Sequence, residues 1–189
     1  MTQFARRLVR MNLKRTLLSV SLVAAAPLAL AQGDSLVGLS VGVFMPQHSE
    51  IRDALGSSWF QYGFSPSVRL RGDLDIRPEL SFLGQHDDGN RLLIVSLPFA
   101  ITKRFADDQA STVPYVAAGL GPAYFDYAIT RPDLTRVSEK RFGWTAHVEV
   151  GMVLSNRLRA HARYIKFSEH DGFKFDGIQV GLSYQFFNL

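Results

Sequence analysis

The sequence of 189 residues contains no cysteine and no apolar run as long as a transmembrane helix requires. The absence of cysteine excludes a disulfide scaffold, a lipid anchor attached through cysteine, and thiolate metal sites. Acidic residues are absent from residues 1–31, which hold five of the 21 basic residues. The rest of the chain carries 16 basic and 17 acidic residues, so the formal net charge of +4 belongs to the N-terminus. The composition therefore does not indicate a nucleic-acid-binding protein.

The N-terminus has the segment order of a secretory signal peptide. A basic stretch precedes the apolar run of residues 16–26, and small residues at Ala29 and Ala31 form a cleavage site. A membrane anchor helix would need about 20 apolar residues. We therefore expect residues 1–31 to be a signal peptide for the general secretory route and residues 32–189 to form one exported domain. Translation starting at Met1 or at Met11 fits this pattern equally well.

Apolar and polar residues alternate through most of the exported part, which is typical of half-buried β-strands. In the sixth run the even positions are apolar, as at Trp144 and Val148, whereas His147 and Glu149 lie on the opposite face. Each run has about ten residues, the length of a tilted strand that crosses a bilayer. The eight runs are 37–43, 60–71, 74–82, 93–101, 116–124, 142–154, 158–164 and 178–186.

The segments between these runs contain signals for hairpin turns. Asp88-Gly89 suits a two-residue turn, because both central positions need positive φ, and three-residue turns are predicted at 71–73 and 155–157. A short helix is predicted from Ser49, as N-cap, to Gly56. The longer segments 45–58, 129–140 and 168–175 are expected to be external loops. The turns place these residues opposite each other: Leu80 and Leu97, Phe82 and Val95, Leu70 and Leu74, Arg69 and Asp75, Leu154 and Leu158, Glu149 and Arg163.

Alternation alone fits a soluble sandwich or barrel, whose apolar face points inward, and a membrane barrel, whose apolar face contacts lipid. Glycine, alanine and serine are frequent on the polar face, which suits a narrow lumen. Aromatic residues lie at strand ends on the apolar face, as in interfacial girdles; they are Phe60, Phe82, Tyr124, Phe142, Trp144 and Phe186. These features predict an all-β fold, an eight-stranded antiparallel up-and-down transmembrane β-barrel.

Three motifs resemble those of a known family. Ser96–Phe105 is similar to a strand of the pattern I-P-x-x-x-x-x-x-Y-F, and Val113–Gly121 is similar to the strand R-P-Y-V-G-A-G-x-G. Gly181, Tyr184 and Phe186 match the closing assembly signal G-x-x-Y-x-F, although Phe187–Leu189 extends beyond it. The chain thus resembles the outer-membrane β-barrel domain family, the small OmpA/OmpX-like barrels.

This resemblance implies an eight-stranded barrel in the outer membrane of a diderm, Gram-negative-type bacterium. The implied partners are outer-membrane lipid, lipopolysaccharide and, during biogenesis, the barrel-assembly machinery. We expect a monomer without a cofactor and without nucleic acid as a partner. The family does not fix a single function.

The charged residues and histidines at mid-strand positions fall on the inward face. Isolated buried charges cost several kcal/mol, so we expect them to form a salt-bridge network that fills the lumen. Arg159 is likewise expected to face carboxylates. The predicted network comprises Arg69, Asp75, Arg77, Glu79, His147, Glu149, His161 and Arg163. An eight-stranded barrel is only wide enough for side chains. The sequence therefore favours a non-enzymatic protein with a structural or surface-interaction role, and the alternative is a narrow gated channel or proton path through the two histidines.

Two further hypotheses concern the loops. The tract Phe167–His170 resembles the His-x-Ser region of lipid A deacylases of the PagL type, but Lys166 occupies the histidine position and is a poor base for Ser168. A lipid A-modifying enzyme is thus the less favoured alternative, and no catalytic residue is assigned. Loop residues with imidazole or carboxylate groups can hold a divalent cation or contact lipopolysaccharide. They are His48, His86, Asp87, Asp88, His170 and Asp171, and solvated loop charges are the favoured interpretation, with no metal site.

Overall fold

A computed structural model describes residues 36–71, 74–105, 112–155 and 157–188. The predicted signal peptide and its cleavage site at Ala29 and Ala31 lie outside these residues. Within them, eight strands and one short helix are formed. Their bounds are β1 Leu36–Pro46, α1 Ser49–Leu55, β2 Trp59–Arg71, β3 in two segments (Leu74–Pro78 and Leu80–Asp87), β4 in two segments (Asn90–Ser96 and Phe99–Arg104), β5 Val113–Thr130, β6 Arg136–Val153, β7 Leu158–Phe167 and β8 Gly177–Asn188.

The strands form a closed antiparallel barrel. Each strand pairs with the next one along the chain, and β1 also pairs with β8. Val41 of β1, for example, lies between Tyr62 of β2 and Leu182 of β8. The interruption of β3 at Glu79 and that of β4 at residues 97–98 lie side by side, and the Glu79 N–H donates to the Pro98 carbonyl over 2.9 Å. The predicted eight-stranded up-and-down barrel is confirmed.

The apolar face of the barrel points outward. Val148 is 60% exposed, whereas the next residue, Glu149, is 2% exposed. The same contrast separates exposed Ile101 from buried Thr102. Four of the predicted girdle aromatics are exposed on this surface, namely Phe60, Phe142, Trp144 and Phe186, and Phe82 and Tyr124 are half-buried. This arrangement is the reverse of a soluble sandwich and is the one that lipid requires.

Most of the predicted registers are present. Asp88 and Gly89 have φ values of 44° and 79°, and Phe82 lies opposite Val95. Arg69 lies opposite Asp75, Glu149 lies opposite Arg163, and the Leu154 N–H donates to the Leu158 carbonyl. Two predicted pairs are wrong. A bulge after Arg69 places Arg71 opposite Leu74, and the β3–β4 ladder is interrupted between the pairs Ser81–Ser96 and Pro78–Phe99, so that Leu80 and Leu97 are not paired.

The two ends of the barrel differ. The loop end carries α1, the turn at Asp88 and the loops 131–135 and 168–176, and the opposite turn end carries the first residue of β1 and the last of β8. The predicted loop 129–140 is mostly wrong, because β5 and β6 have 18 residues each and leave only residues 131–135 between them. The predicted helix is present, but His48 and not Ser49 holds the N-cap position. Of the described residues, none lies in a helix long and apolar enough to cross a membrane.

Candidate functional site

The lumen is the candidate site, and its loop end is filled by an apolar cluster. Phe125 is fully buried there, with its ring centroid 5.9 Å from that of Phe167 and 5.7 Å from that of Phe175. Helix α1 covers the cluster with Ile51 and Leu55, both fully buried. The buried members are Phe44, Ile51, Leu55, Trp59, Leu83, Leu92, Ile94, Ala123, Phe125, Tyr127, Ile129, Ile165, Phe167, Phe173 and Phe175. This set is called the apolar layer below.

The sequence predicted a salt-bridge network in the lumen and did not predict the apolar layer. Its strand members occupy the inward face, where the alternation predicted polar residues. The signal was present in the sequence, because apolar residues occupy both faces in the runs 92–95 and 123–125. The Trp59 Nε1–H donates to the Leu55 carbonyl over 2.9 Å, and this hydrogen bond links the start of β2 to α1.

An ionic layer lies next to the apolar layer, in the middle of the barrel. Arg77 Nη2 donates to both carboxylate oxygens of Glu149 at 2.8 Å. Arg163 lies 2.9 Å from Glu149 and 2.8 Å from Glu79. Tyr115 donates its hydroxyl proton to Glu149 over 2.7 Å. Charges of opposite sign therefore alternate along Arg77, Glu149, Arg163 and Glu79, and each of these four groups has a hydrogen-bonded partner, as burial in a low dielectric requires.

The ionic layer joins opposite walls of the barrel. Glu149 and Arg163 are neighbours in the sheet, on β6 and β7. Arg77 on β3 contacts the Glu149 carboxylate from across the lumen. Glu79, at the interruption of β3, contacts the Arg163 guanidinium in the same way. The network therefore links strands that share no backbone hydrogen bonds.

A second ion pair lies nearer the turn end. Arg104 of β4 donates to both carboxylate oxygens of Asp75 at 2.8 Å. The sequence placed Arg69 opposite Asp75, and the backbone register agrees, but the side chain of Arg69 is outside the described part of the structure. Arg104 was missed because it lies at the end of its strand, close to the predicted turn.

His147 and His161 point into the lumen but do not join the salt bridges. Both are buried, and the Nε2 atom of each has no hydrogen-bond partner within the described chain. Glycines provide their space, because a Cβ at Gly119 would lie 2.4 Å from His147 Cε1 and one at Gly181 would lie 3.0 Å from His161 Nε2. The small residues of the polar face are thus explained by the inward rings that they accommodate.

Arg159 departs from its expected role. It is buried on β7 near the turn end, with its guanidinium 6.0 Å from the centroid of the Tyr115 ring. The described residues supply no carboxylate within salt-bridge distance of it, because those of Asp75, Glu79 and Glu149 bind other arginines. Arg159 thus forms no salt bridge with a described carboxylate, although the negative charge of Asp75 acts on it at longer range.

The loop after β7 forms a Ser–His contact. Ser168 Oγ lies 3.0 Å from His170 Nε2 and accepts the Trp144 N–H over 3.2 Å. Partial burial, and next the positive charge of Arg141, lower the pKa of His170 below its ordinary value of 6.5. The neighbouring carboxylate of Asp171 accepts the Tyr127 hydroxyl and lies 3.4 Å from Arg141. The pair thus has the spacing of a nucleophile and a base, without a carboxylate that orients the imidazole.

The other loop residues do not assemble into a metal centre. His86, Asp87 and Asp88 are exposed at the β3–β4 turn, and His48 precedes α1. Within the described residues, no group of three or more His, Asp or Glu side chains is placed to hold a metal ion.

The residues of the predicted assembly signal lie on the last strand. Tyr184 and Phe186 are on the outer face of β8, and their ring centroids are 4.8 Å apart. Gly181 is on the inner face, beside His161. The aromatic pair thus faces outward near the turn end.

Known proteins share this fold. The N-terminal β-barrel domain of Pseudomonas aeruginosa OprF has 16% identity and a TM-score of 0.52, covering 81% of this chain and 98% of that one. Ail of Yersinia pestis has 10% identity and a TM-score of 0.58, covering 80% and 97%. The outer membrane enzyme PagL has 17% identity and a TM-score of 0.50, covering 78% and 97%. At these identities the likeness shows the fold alone.

The sequence comparisons give the family. No curated protein matches the sequence. The model of the outer membrane protein beta-barrel domain matches residues 16–186, which is most of the chain. The chain therefore belongs to the outer membrane protein beta-barrel domain family.

Proposed function

We propose that this outer-membrane barrel is a non-enzymatic protein with a closed lumen and a structural or surface-interaction role. The observation that carries this proposal is the stacking of two layers inside the barrel. Buried aromatic and aliphatic side chains fill the loop end, and the paired charges of Arg77, Glu79, Glu149 and Arg163 fill the middle. An eight-stranded barrel has little room beyond its side chains.

A channel would require both layers to open. The apolar layer offers no hydrogen-bonding groups to replace the hydration shell of an ion. The ionic layer would have to expose charges that are now paired, and separating buried pairs costs several kcal/mol. The two obstacles lie in series along the axis, so the closed lumen accounts for the structure better than the gated channel or the proton path through His147 and His161.

Planar-bilayer recording tests the closed lumen. We expect the folded wild-type protein to give no steady ion conductance after insertion, because no polar path crosses the apolar layer. Insertion is verified by recovering the protein from the membrane and showing that its gel mobility changes on boiling. A stable conductance that scales with the amount of inserted protein would favour the channel.

The hairpin of β5 and β6 is where we place surface interactions. Its strands extend beyond the β6–β7 ladder, which pairs β6 only from Thr145 onward. Leu134 at its tip and Phe142 are 84% and 81% exposed. Exposed apolar side chains at the loop end are suited to contacts with other molecules.

The Ser168–His170 contact supports a second candidate, an esterase. It is the weaker one, because the Asp171 carboxylate engages Tyr127 and Arg141 and not the imidazole. We expect a fluorophosphonate probe to leave Ser168 unlabelled in the folded protein, as judged by mass spectrometry. Labelling that is lost in Ser168→Ala and His170→Ala but kept in the exposed control Ser138→Ala would contradict the non-enzymatic proposal.

A further inference from the structure

Arg159 is a buried cation without a counter-charge in the described part of the lumen. Only 7% of its surface is exposed, and its Nε–H has no acceptor. Its guanidinium lies over the ring of Tyr115. Ring stacking engages the plane of a guanidinium and leaves the N–H groups at its edge available to an acceptor.

The neighbouring charges do not compensate Arg159. On the turn side of the apolar layer, the described lumen holds three carboxylates, and each is bound by another arginine: Asp75 by Arg104, and Glu79 and Glu149 by Arg77 and Arg163. Asp176 is also buried, but it lies at the loop end, where it accepts the Phe167 N–H over 2.9 Å. Among the side chains that the structure describes there, four guanidinium groups thus face three carboxylates, and a buried charge left over in this way calls for a partner of opposite sign.

We propose that the turn end of the lumen binds one small monovalent anion, of the halide class, at the Arg159 guanidinium. A single negative charge balances the four described arginines against the three described carboxylates. The space is narrow because Tyr115 occupies the room beside Gly151, where a Cβ would lie 2.4 Å from the ring carbon Cζ. Ser183 lies directly across from Arg159 on β8, with its hydroxyl on the same wall, 3.5 Å from His161 Nδ1. This crowding favours a small anion over a bulky organic one.

The anion enters and leaves at the turn end. Arg159 is the second residue of β7, next to that opening, whereas the apolar layer separates it from the loop end. Binding therefore requires no passage through the barrel. The site does not depend on whether the barrel conducts ions or on the role proposed above.

Anion-dependent stability tests this site. At equal ionic strength, we expect wild-type protein in detergent to unfold about 2–4 °C higher in sodium bromide than in sodium gluconate, because a ligand that binds the folded state stabilises it. Arg159→Gln should lose this difference, and Arg157→Gln, which removes an exposed arginine two residues away, should keep it. Equal midpoints for the wild type in both salts, or an unchanged difference in Arg159→Gln, would overturn the proposal.

Crystallography of the wild-type protein tests the site without a variant, in case Arg159→Gln does not fold. Crystals soaked in sodium bromide should show an anomalous peak within hydrogen-bond distance of the Arg159 guanidinium. Peaks confined to exposed basic side chains such as Lys174, with none in the lumen, would overturn the proposal.

Discussion

Replacing Glu149 by alanine is expected to lower the free energy of unfolding by about 3–5 kcal/mol, the cost of breaking a buried ion pair by removing one partner. The lost carboxylate accepts hydrogen bonds from Arg77 and Tyr115 and forms an ion pair with Arg163. Arg163 keeps its second partner, Glu79, at 2.8 Å. Arg77 keeps none within hydrogen-bond distance among the described residues, so its buried guanidinium becomes the main source of the destabilisation.

Urea unfolding of the refolded barrel in detergent measures this effect. Glu139→Ala is the matched control, because Glu139 lies on the same strand, is exposed, and makes only a 3.7 Å ion pair with Arg141. We expect that control to change the free energy of unfolding by less than about 1 kcal/mol. Equal midpoints for the wild type and Glu149→Ala would show that the ionic layer contributes nothing to stability.

Replacing Phe125 by alanine is expected to cost about 3–5 kcal/mol, the usual range for removing a buried aromatic ring. Phe125 lies at the centre of the apolar layer, where its ring contacts those of Phe167, His170 and Phe175. It also lies directly across from Ile94 on β4. The cavity left by its removal is enclosed by α1 and the loop 168–176, so the neighbours have little freedom to refill it.

Phe142→Ala provides the comparison for Phe125→Ala. Phe142 lies on the neighbouring strand and is 81% exposed, with one ring contact to Tyr124 at 5.2 Å. We expect its replacement to cost less than about 1 kcal/mol, because its ring packs against little of the protein and its removal leaves no enclosed cavity. Unfolding of the two variants at the same urea concentration would show that the apolar layer is not a packed core. The layer would then not block the passage of ions.

The sequence predicts the barrel wall well, because the wall depends on local rules. Strict alternation distinguishes the inward Glu149 from the outward Val148, and Asp88-Gly89 determines the register of its hairpin. The pair Glu149–Arg163 follows from the short turn between β6 and β7. Where a local irregularity enters, as at the bulge after Arg69, the predicted pairing fails by one residue.

The sequence predicts the contents of the lumen less well. The contact of Arg77 with Glu149 crosses the barrel between strands that are not neighbours, and register defines only neighbouring pairs. The apolar layer depends on α1 and the loop 168–176 folding back over the opening, which alternation within strands does not encode. Arg159 shows the same limit, since inward parity predicted its burial but not that the described residues around it would form no salt bridge with it.

The filled lumen is tested most directly by the reactivity of a single cysteine, since the natural chain has none. Thr145→Cys places a thiol at an inward position that is 1% exposed, and Thr135→Cys places one in the exposed loop between β5 and β6. Both variants are exposed, folded in liposomes, to a water-soluble, membrane-impermeant thiol reagent. We expect Cys at 135 to be modified and Cys at 145 to stay unmodified until the barrel is unfolded. Modification of both positions at the same rate would show that water and solutes enter the lumen, and would contradict the closed barrel.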